Sequence, residues 1–274
     1  MKGRTKGAAR VAASSYLNTA PLIWSFMHGS RRRDVELLTD TAPARCARLL
    51  ARGEVEAALV PVIEYQRIPE ITIVPDVCVG SRRQVRSVVL VTRGAQLKEV
   101  RSCALDTSSR TSAALIQIIF REFLGFEPQW RESAPDLGAM LDAHDAALLI
   151  GDPAMVFPRE ALRVYDLASL WREHTGLGFV FAMWMAKPDA GERLRAIDFS
   201  GARDEGLAHV EEIAEAYSGA LGLPRAELHA YLLDNISFKL DAEMSDGLSL
   251  FYQLAHKHGI IPAVRPLKFL ICDF

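Results

Sequence analysis

VAASSYLNTAPL, residues 11–22, is the passage on which the fold turns. Residues 11–13 form a short apolar run within a strand read at 10–13, and from about residue 20 to 28 the apolar spacing becomes helical. Between the two lie Ser14, Ser15, Tyr16, Asn18 and Thr19, with Pro21 just behind. A strand delivered into a helix through a short turn is the βα unit of an α/β fold. The turn is polar but uncharged, and two readings of it stand side by side. Asn18 suits the N-cap of the helix that follows. Equally, the carboxyl end of a strand is where α/β proteins bind small ligands, and an amide donates and accepts without bringing charge.

The same alternation continues outward. Thr41 can cap a second helix, with Pro43 in its first turn, Ala44, Ala47, Leu49 and Leu50 giving the apolar spacing and Gly53 the stop. EAALVPVIEY (56–65) reads as a strand running into a turn at Pro61. ITIVPDVCVG (71–80) and VRSVVLVTRG (85–94) read as two strong strands, the second apolar on both faces. SCALD (102–106) and TSSRTSAALIQIIFREFLG (107–125) form another strand–helix unit, capped at Ser109 and ended by Gly125. PDLGAMLDAHD (135–145) is helical, AALLIGD (146–152) a buried strand, and TGLGFVFAMWMAK (175–187) returns as a strand. Residues 189 to about 258 are mostly helical, and a short apolar tail follows at 267–271. This layout predicts two α/β lobes, each a mostly parallel sheet flanked by helices. Residues 1–93 with 187–274 form one lobe and 94–186 the other. Two chain crossings near 90–94 and 185–188 would act as hinges, with a ligand cleft between the lobes.

Bulk composition narrows the function classes. Lys plus Arg is 32 and Asp plus Glu 34, a net charge of -2, which points to no nucleic acid or anionic membrane as partner. The basic start MKGRTKGAAR precedes an apolar run too short for a signal peptide, and no run reaches the roughly 20 residues that cross a bilayer. A cytoplasmic protein is the expectation. Cys46, Cys78, Cys103 and Cys272 are far apart, with no CxxC spacing and no paired histidines, so neither a zinc site nor another metal is expected. P-loop, GxGxxG and GxSxG motifs are absent.

On this topology the polar turns 14–19, 61–65, 106–112 and 151–152 lie at strand carboxyl ends, and Ser87 near the start of the crossing strand can face the same space. DTSSRTS (106–112) is the most informative. Backbone N–H groups at a helix start bind anions, hydroxyls add donors, and Arg110 can pair bidentately with a carboxylate. The plainer alternative is that Ser109 caps the helix and Arg110 is solvated. Asp152, before Pro153, is a helix cap or a ligand contact; Glu64 is a general base or a solvated acid. Trp171, Phe179, Phe181 and Trp184 are core or a wall of the cleft.

Five motifs in order, SYLNTAPL (15–22), VPVIEY (60–65), TSSRTS (107–112), LLIGD (148–152) and HTGLGFVFAMW (174–184), make the chain resemble the chorismate dehydratase family. The resemblance implies a periplasmic-binding-protein type II fold used as a cytoplasmic enzyme of the futalosine route to menaquinone. The implied reaction is loss of water from chorismate, giving 3-[(1-carboxyvinyl)oxy]benzoate, with no metal or cofactor required. It places catalytic roles on Asn18 and Ser87. The family's Ser-Arg-Thr-Ser helix start falls on Ser109, Arg110, Thr111 and Ser112, and substrate binding is expected of Tyr16, Ser108, Ser109, Arg110, Thr111, Gly151 and Asp152. Position 62 is Val where relatives often carry a hydroxyl, so no side-chain contact is assigned there. The proton acceptor stays open among Ser87 through water, Glu64 and the substrate's own carboxylate. Two alternatives share the fold: another enzyme of the same pathway, and a solute-binding protein without chemistry.

Overall fold

The structure is a computed structural model that describes residues 7–40 and 42–271. Strand β1 (Ala9–Ser14) is followed by a single tight turn and helix α1 (Ala20–Met27). Then come β2 (Val35–Asp40), α2 (Pro43–Ala51), β3 (Ala57–Pro61), the short α3 (Glu64–Arg67) and β4 (Thr72–Ser81). The next run is β5 (Val88–Thr92), β6 (Ser102–Asp106), α4 (Thr111–Ile118), β7 (Gln129–Ser133), α5 (Leu137–Ala143) and β8 (Ala146–Ile150). It continues through β9 (Arg163–Asp166), α6 (Leu167–Thr175) and β10 (Phe179–Ala186). The chain closes with α7 (Gly191–Arg195), α8 (Phe199–Ala208), α9 (Val210–Leu221), α10 (Arg225–Ala230) and α11 (Ala242–Lys257).

Two five-stranded sheets result, in the orders β2-β1-β3-β10-β4 and β7-β6-β8-β5-β9. β1 pairs in parallel with β2 and β3, whereas β10 runs antiparallel to both β3 and β4. The second sheet repeats the pattern, with β5 antiparallel to β8 and β9 and β6 parallel to β7 and β8. Four strands in each sheet therefore share one direction, and the strand that opposes them is the one arriving from the other lobe. Both sheets are mixed.

The sheets exchange strands at places other than the expected boundaries of 93/94 and 186/187. β5 belongs to the second sheet, so that crossing lies between Ser81 and Val88, and β10 belongs to the first, so the return lies between Asp166 and Phe179. Both strands are apolar on both faces, so their composition says that they are central but not in which sheet.

The strong strand 71–80 is β4, but it is not regular. Pro75 cannot donate to a ladder, Asp76 adopts φ 59°, and the pairing with β10 skips from Cys78 to Ile73 around them, forming a bulge. The apolar tail lies along this edge: the Ile73 N–H donates to the Lys268 carbonyl at 2.9 Å and Leu270 N–H to the Ile73 carbonyl at 2.7 Å. The helical run that α4 begins continues as a wider turn at 119–124 and ends at Gly125 (φ 76°), as expected. Thr41, the expected cap of α2, lies outside the described residues, as does Cys272. Trp171, Phe179 and Trp184 are core, and Phe181 reaches the wall of the cleft. No helix among the described residues is long and apolar enough to cross a membrane.

Candidate active site

The strand-to-helix turn after β1 builds one side of a pocket between the lobes. Ser14 and Thr19 hydroxyls bond each other at 2.8 Å, and the Thr19 hydroxyl donates to Asn18 Oδ1 at 3.3 Å. α1 begins after Thr19 without any side-chain cap, so Asn18 is not its cap. Its amide instead faces the pocket and donates from Nδ2 to Ser87 Oγ at 3.5 Å. Ser87 is fully enclosed at the end of the crossing between the sheets and accepts a second, shorter bond of 2.7 Å from the Tyr231 hydroxyl.

The opposite side is the turn between β6 and α4. Ser108, Ser109, Arg110, Thr111 and Ser112 all line the pocket. Asp106 organises this turn by accepting from the Ser108 N–H at 2.8 Å and the Ser108 hydroxyl at 2.6 Å. Burial nevertheless raises its carboxyl above the ordinary range. α4 starts at Arg110 with no side-chain cap, and the Ser109 hydroxyl is buried with no partner among the described residues. A buried hydroxyl without a partner is costly, and this one lies at the pocket wall. The helix start, four hydroxyls and a guanidinium thus converge on one end of the pocket, where an anion is stabilised.

Arg110 is held in place rather than solvated. Its Nη1 donates to Glu64 at 2.8 Å, and the other Glu64 oxygen accepts from Arg67 at 3.2 Å. The Glu64 side chain is only 3% exposed and each of its oxygens is engaged by an arginine, so it is neither a solvated acid nor a free base. The triad carries a net single positive charge, and the unused edge of the Arg110 fork remains for a carboxylate. Val62 contributes main chain only: its carbonyl accepts from the Tyr252 hydroxyl at 2.7 Å.

The turn after β8 completes the enclosure. Gly151 adopts φ 66°, and a Cβ there would meet the Tyr16 ring at 2.5 Å, so the ring from one lobe packs directly on the backbone of the other. Burial raises the Tyr16 phenol above its ordinary value, and the neighbouring Ser108 hydroxyl partly offsets this. Asp152 caps neither its own turn nor the pocket. Its carboxylate accepts from the Leu17 N–H at 2.9 Å, bonding the other lobe, and burial pushes its pKa up to about 6. Thr111 does the same, accepting from the Ile63 N–H of the first lobe at 3.2 Å.

Leu59, Pro61, Val79, Val88, Ile150, Phe181 and Ala182 form the apolar walls, and the space enclosed is about 520 Å³ with its mouth included. The pocket therefore pairs an anion-holding end with an uncharged amide–hydroxyl end across apolar walls. Such a site suits a small ligand with a carboxylate at one end and a reacting hydroxyl at the other. Among the described residues no three His, Cys, Asp or Glu side chains come together as metal ligands do. Cys103 is buried, and burial pushes its thiol up to about 12. Tyr231 is the site residue that sequence reasoning missed; it falls in an apolar helical stretch and carries no local signal.

Solved structures share this architecture. A protein of Archaeoglobus fulgidus superposes with a TM-score of 0.76 at 18% identity, over 94% of this chain and 100% of that one. The periplasmic aliphatic sulphonate binding protein of Escherichia coli does so at 0.63 and 16%, over 97% and 94% of the two chains. At these identities the likeness is one of fold: the two-lobed periplasmic-binding-protein architecture. In sequence, the chain is similar to the chorismate dehydratase of Thermus thermophilus, 32% identical over 256 residues that cover 86% of this chain and 90% of the relative. A family model described as menaquinone biosynthesis matches residues 9–257, which takes in both sheets and every turn of the pocket. The chain belongs to the menaquinone biosynthesis family.

Proposed function

We propose that the chain is a chorismate dehydratase, a hydro-lyase acting at the futalosine route's entry in the cytoplasm, and that the interlobe pocket is its active site. The observation that carries this reading is the division of the pocket. The Arg110 guanidinium and a set of hydroxyls line the side built by the turn before α4, and the uncharged Asn18 amide, bonded to the enclosed Ser87 behind it, lines the side built by the first lobe.

Chorismate has two carboxylates, a hydroxyl at C4 and a hydrogen at C3. Loss of the C3 proton and the C4 hydroxyl as water makes the ring aromatic, so the step is downhill and needs orientation and charge stabilisation above all. In this reading Arg110 with Ser109 and Thr111 holds one carboxylate, and Asn18 and Ser87 meet the departing hydroxyl. An ionised side chain in their place would repel a dianion or bind the substrate ground state too well. Glu64 is fully engaged by Arg67 and Arg110, which leaves the substrate's own carboxylate, or water on Ser87, to accept the C3 proton.

Incubation of the purified chain with chorismate tests the proposal. The expected result is an aromatic product one water lighter, formed at a rate that scales with enzyme. Tight binding of chorismate with no such product would overturn it in favour of a binding protein.

A further inference from the structure

We infer that Tyr231 is a positioning residue for the elimination: its hydroxyl fixes the Ser87 hydroxyl so that the Ser87 hydrogen is delivered to the pocket. The inference rests on the dehydratase reading and names how its uncharged end is aimed.

Tyr231 lies on the turn that follows α10 and is completely enclosed. Its hydroxyl donates to Ser87 Oγ at 2.7 Å, the shorter of the two bonds to that oxygen. The phenol is the donor in this bond, and the Asn18 side chain lies within hydrogen-bond reach of the same phenol oxygen. A serine oxygen has two acceptor positions. Tyr231 takes one and the Asn18 amide approaches the other. The hydrogen of Ser87 is then left for a third partner. A donor that itself accepts a hydrogen bond is polarised and donates more strongly. Burial raises the phenol pKa well above its ordinary value, so it stays protonated as a donor at any working pH.

The surroundings hold this arrangement rigid. The crossing segment just before Ser87 is clamped from both sides. The Asp166 carboxylate accepts from the Val85 N–H at 3.1 Å and the Arg86 N–H at 2.6 Å. The Asn235 amide donates to the Gln84 carbonyl at 3.1 Å, and the Arg86 guanidinium pairs with Glu227. Arg86 itself adopts φ 63°, a left-handed conformation rare for a long side chain and sustained only where the surroundings dictate it. The segment 225–235 thus grips the crossing at Gln84, Arg86 and Ser87. Of these grips, Tyr231 is the one that ends on a hydroxyl beside the pocket.

The test is a double-mutant cycle read as kcat and KM for chorismate. Tyr231→Phe should lower kcat about tenfold and leave KM within about twofold, because a transition-state contact is loosened and ground-state binding is not. In a Ser87→Ala background the same substitution should have no further effect on kcat, since the group that it positions is gone. Equal losses in both backgrounds would show a structural role and overturn the inference, as would an unchanged kcat in Tyr231→Phe. If Tyr231→Phe does not fold, replacement of Tyr231 by 3-fluorotyrosine keeps the bond while making the phenol more acidic. A kcat shifted about two- to threefold at constant KM supports the relay, and an unmoved kcat overturns it. A parent chain that does not turn chorismate over fails the dehydratase reading and the inference together. A parent that turns over, with Tyr231→Phe indistinguishable from it, fails the inference alone.

Discussion

Replacing Asn18 separates its two possible roles by magnitude. The amide meets Thr19 at 3.3 Å and Ser87 at 3.5 Å, both at the long edge of hydrogen bonding, and lies within reach of the Tyr231 hydroxyl. Together they contribute about 1 kcal/mol or less to folding. For a chain of this size such a loss lowers Tm by about 2–4 °C. A true helix cap would cost about 0.5–2 kcal/mol and leave turnover intact, but α1 starts beyond Asn18 and draws no bond from it. Loss of a major donor to a departing group, by contrast, lowers kcat about a hundredfold or more. Asn18→Ala should therefore fold with a near-parent Tm and be close to inactive. Asn18→Asp should also be close to inactive, and should bind substrate more weakly because a carboxylate then stands next to Asp152, at Leu17's neighbour, facing a dianion. Melting curves and initial rates on the same preparations decide the matter. A variant that melts early yet turns over at the parent kcat would refute a role for Asn18 in the reaction.

Three further perturbations follow from the same geometry. Arg110→Ala should raise KM by about 10- to 100-fold through loss of a charge-assisted bond, and should lower Tm as buried Glu64 loses a partner; an unchanged KM would remove Arg110 from the anion end. Gly151→Ala should hold the lobes apart, since its Cβ would meet the Tyr16 ring at 2.5 Å, and is expected to raise KM and also to lower Tm, because φ 66° with ψ -150° strains any residue that carries a Cβ; parent-like binding would show that this contact does not govern closure. Asp152 binds its proton more tightly in the folded chain, with a pKa of about 6, than unfolded, so its charge costs stability increasingly as pH rises from its ordinary carboxyl value through 6. Asp152→Asn should thus gain on the parent by about 1–3 kcal/mol between about pH 4 and pH 7, read from paired melts; no pH-dependent difference would mean that burial does not hold the proton there.

What the sequence conveys depends on where each segment lies in a sheet. The central strands β1, β3, β5, β8 and β10 are nearly continuous apolar runs and are legible at once. β2, β7 and β9 are not, and each is an edge strand. Their residues VELLTD, QWRES and RVYD are half exposed and mix charge with apolar groups, as an edge open to water requires. In the turns, the residue types at the anion end were readable because hydroxyls and an arginine at a helix start have few structural uses together. The roles of Asp152 and Glu64 were not. Each is decided by a partner far along the chain, Leu17 for one and Arg110 for the other. Tyr231 was hidden for the same reason, since Ser87 lies 144 positions away.

The contacts that join the lobes and the residues that line the pocket are largely the same set. Arg110 reaches Glu64, Thr111 accepts from Ile63, Asp152 accepts from Leu17, and Tyr16 lies on Gly151. None of these pairs exists unless the two sheets approach. The anion end is therefore not complete in either lobe alone: the turn before α4 supplies Arg110, and the turn after β3 supplies the carboxylate that orients it. The uncharged end depends on approach in the same way, because Asn18 rides on the first lobe while Ser87 is fixed at the crossing by Tyr231. Closing the lobes thus aligns the charge that holds a substrate with the donors that act on it. A fold shared with binding proteins becomes suited to an elimination by this coupling, with neutral donors placed where a binding protein needs only a fit.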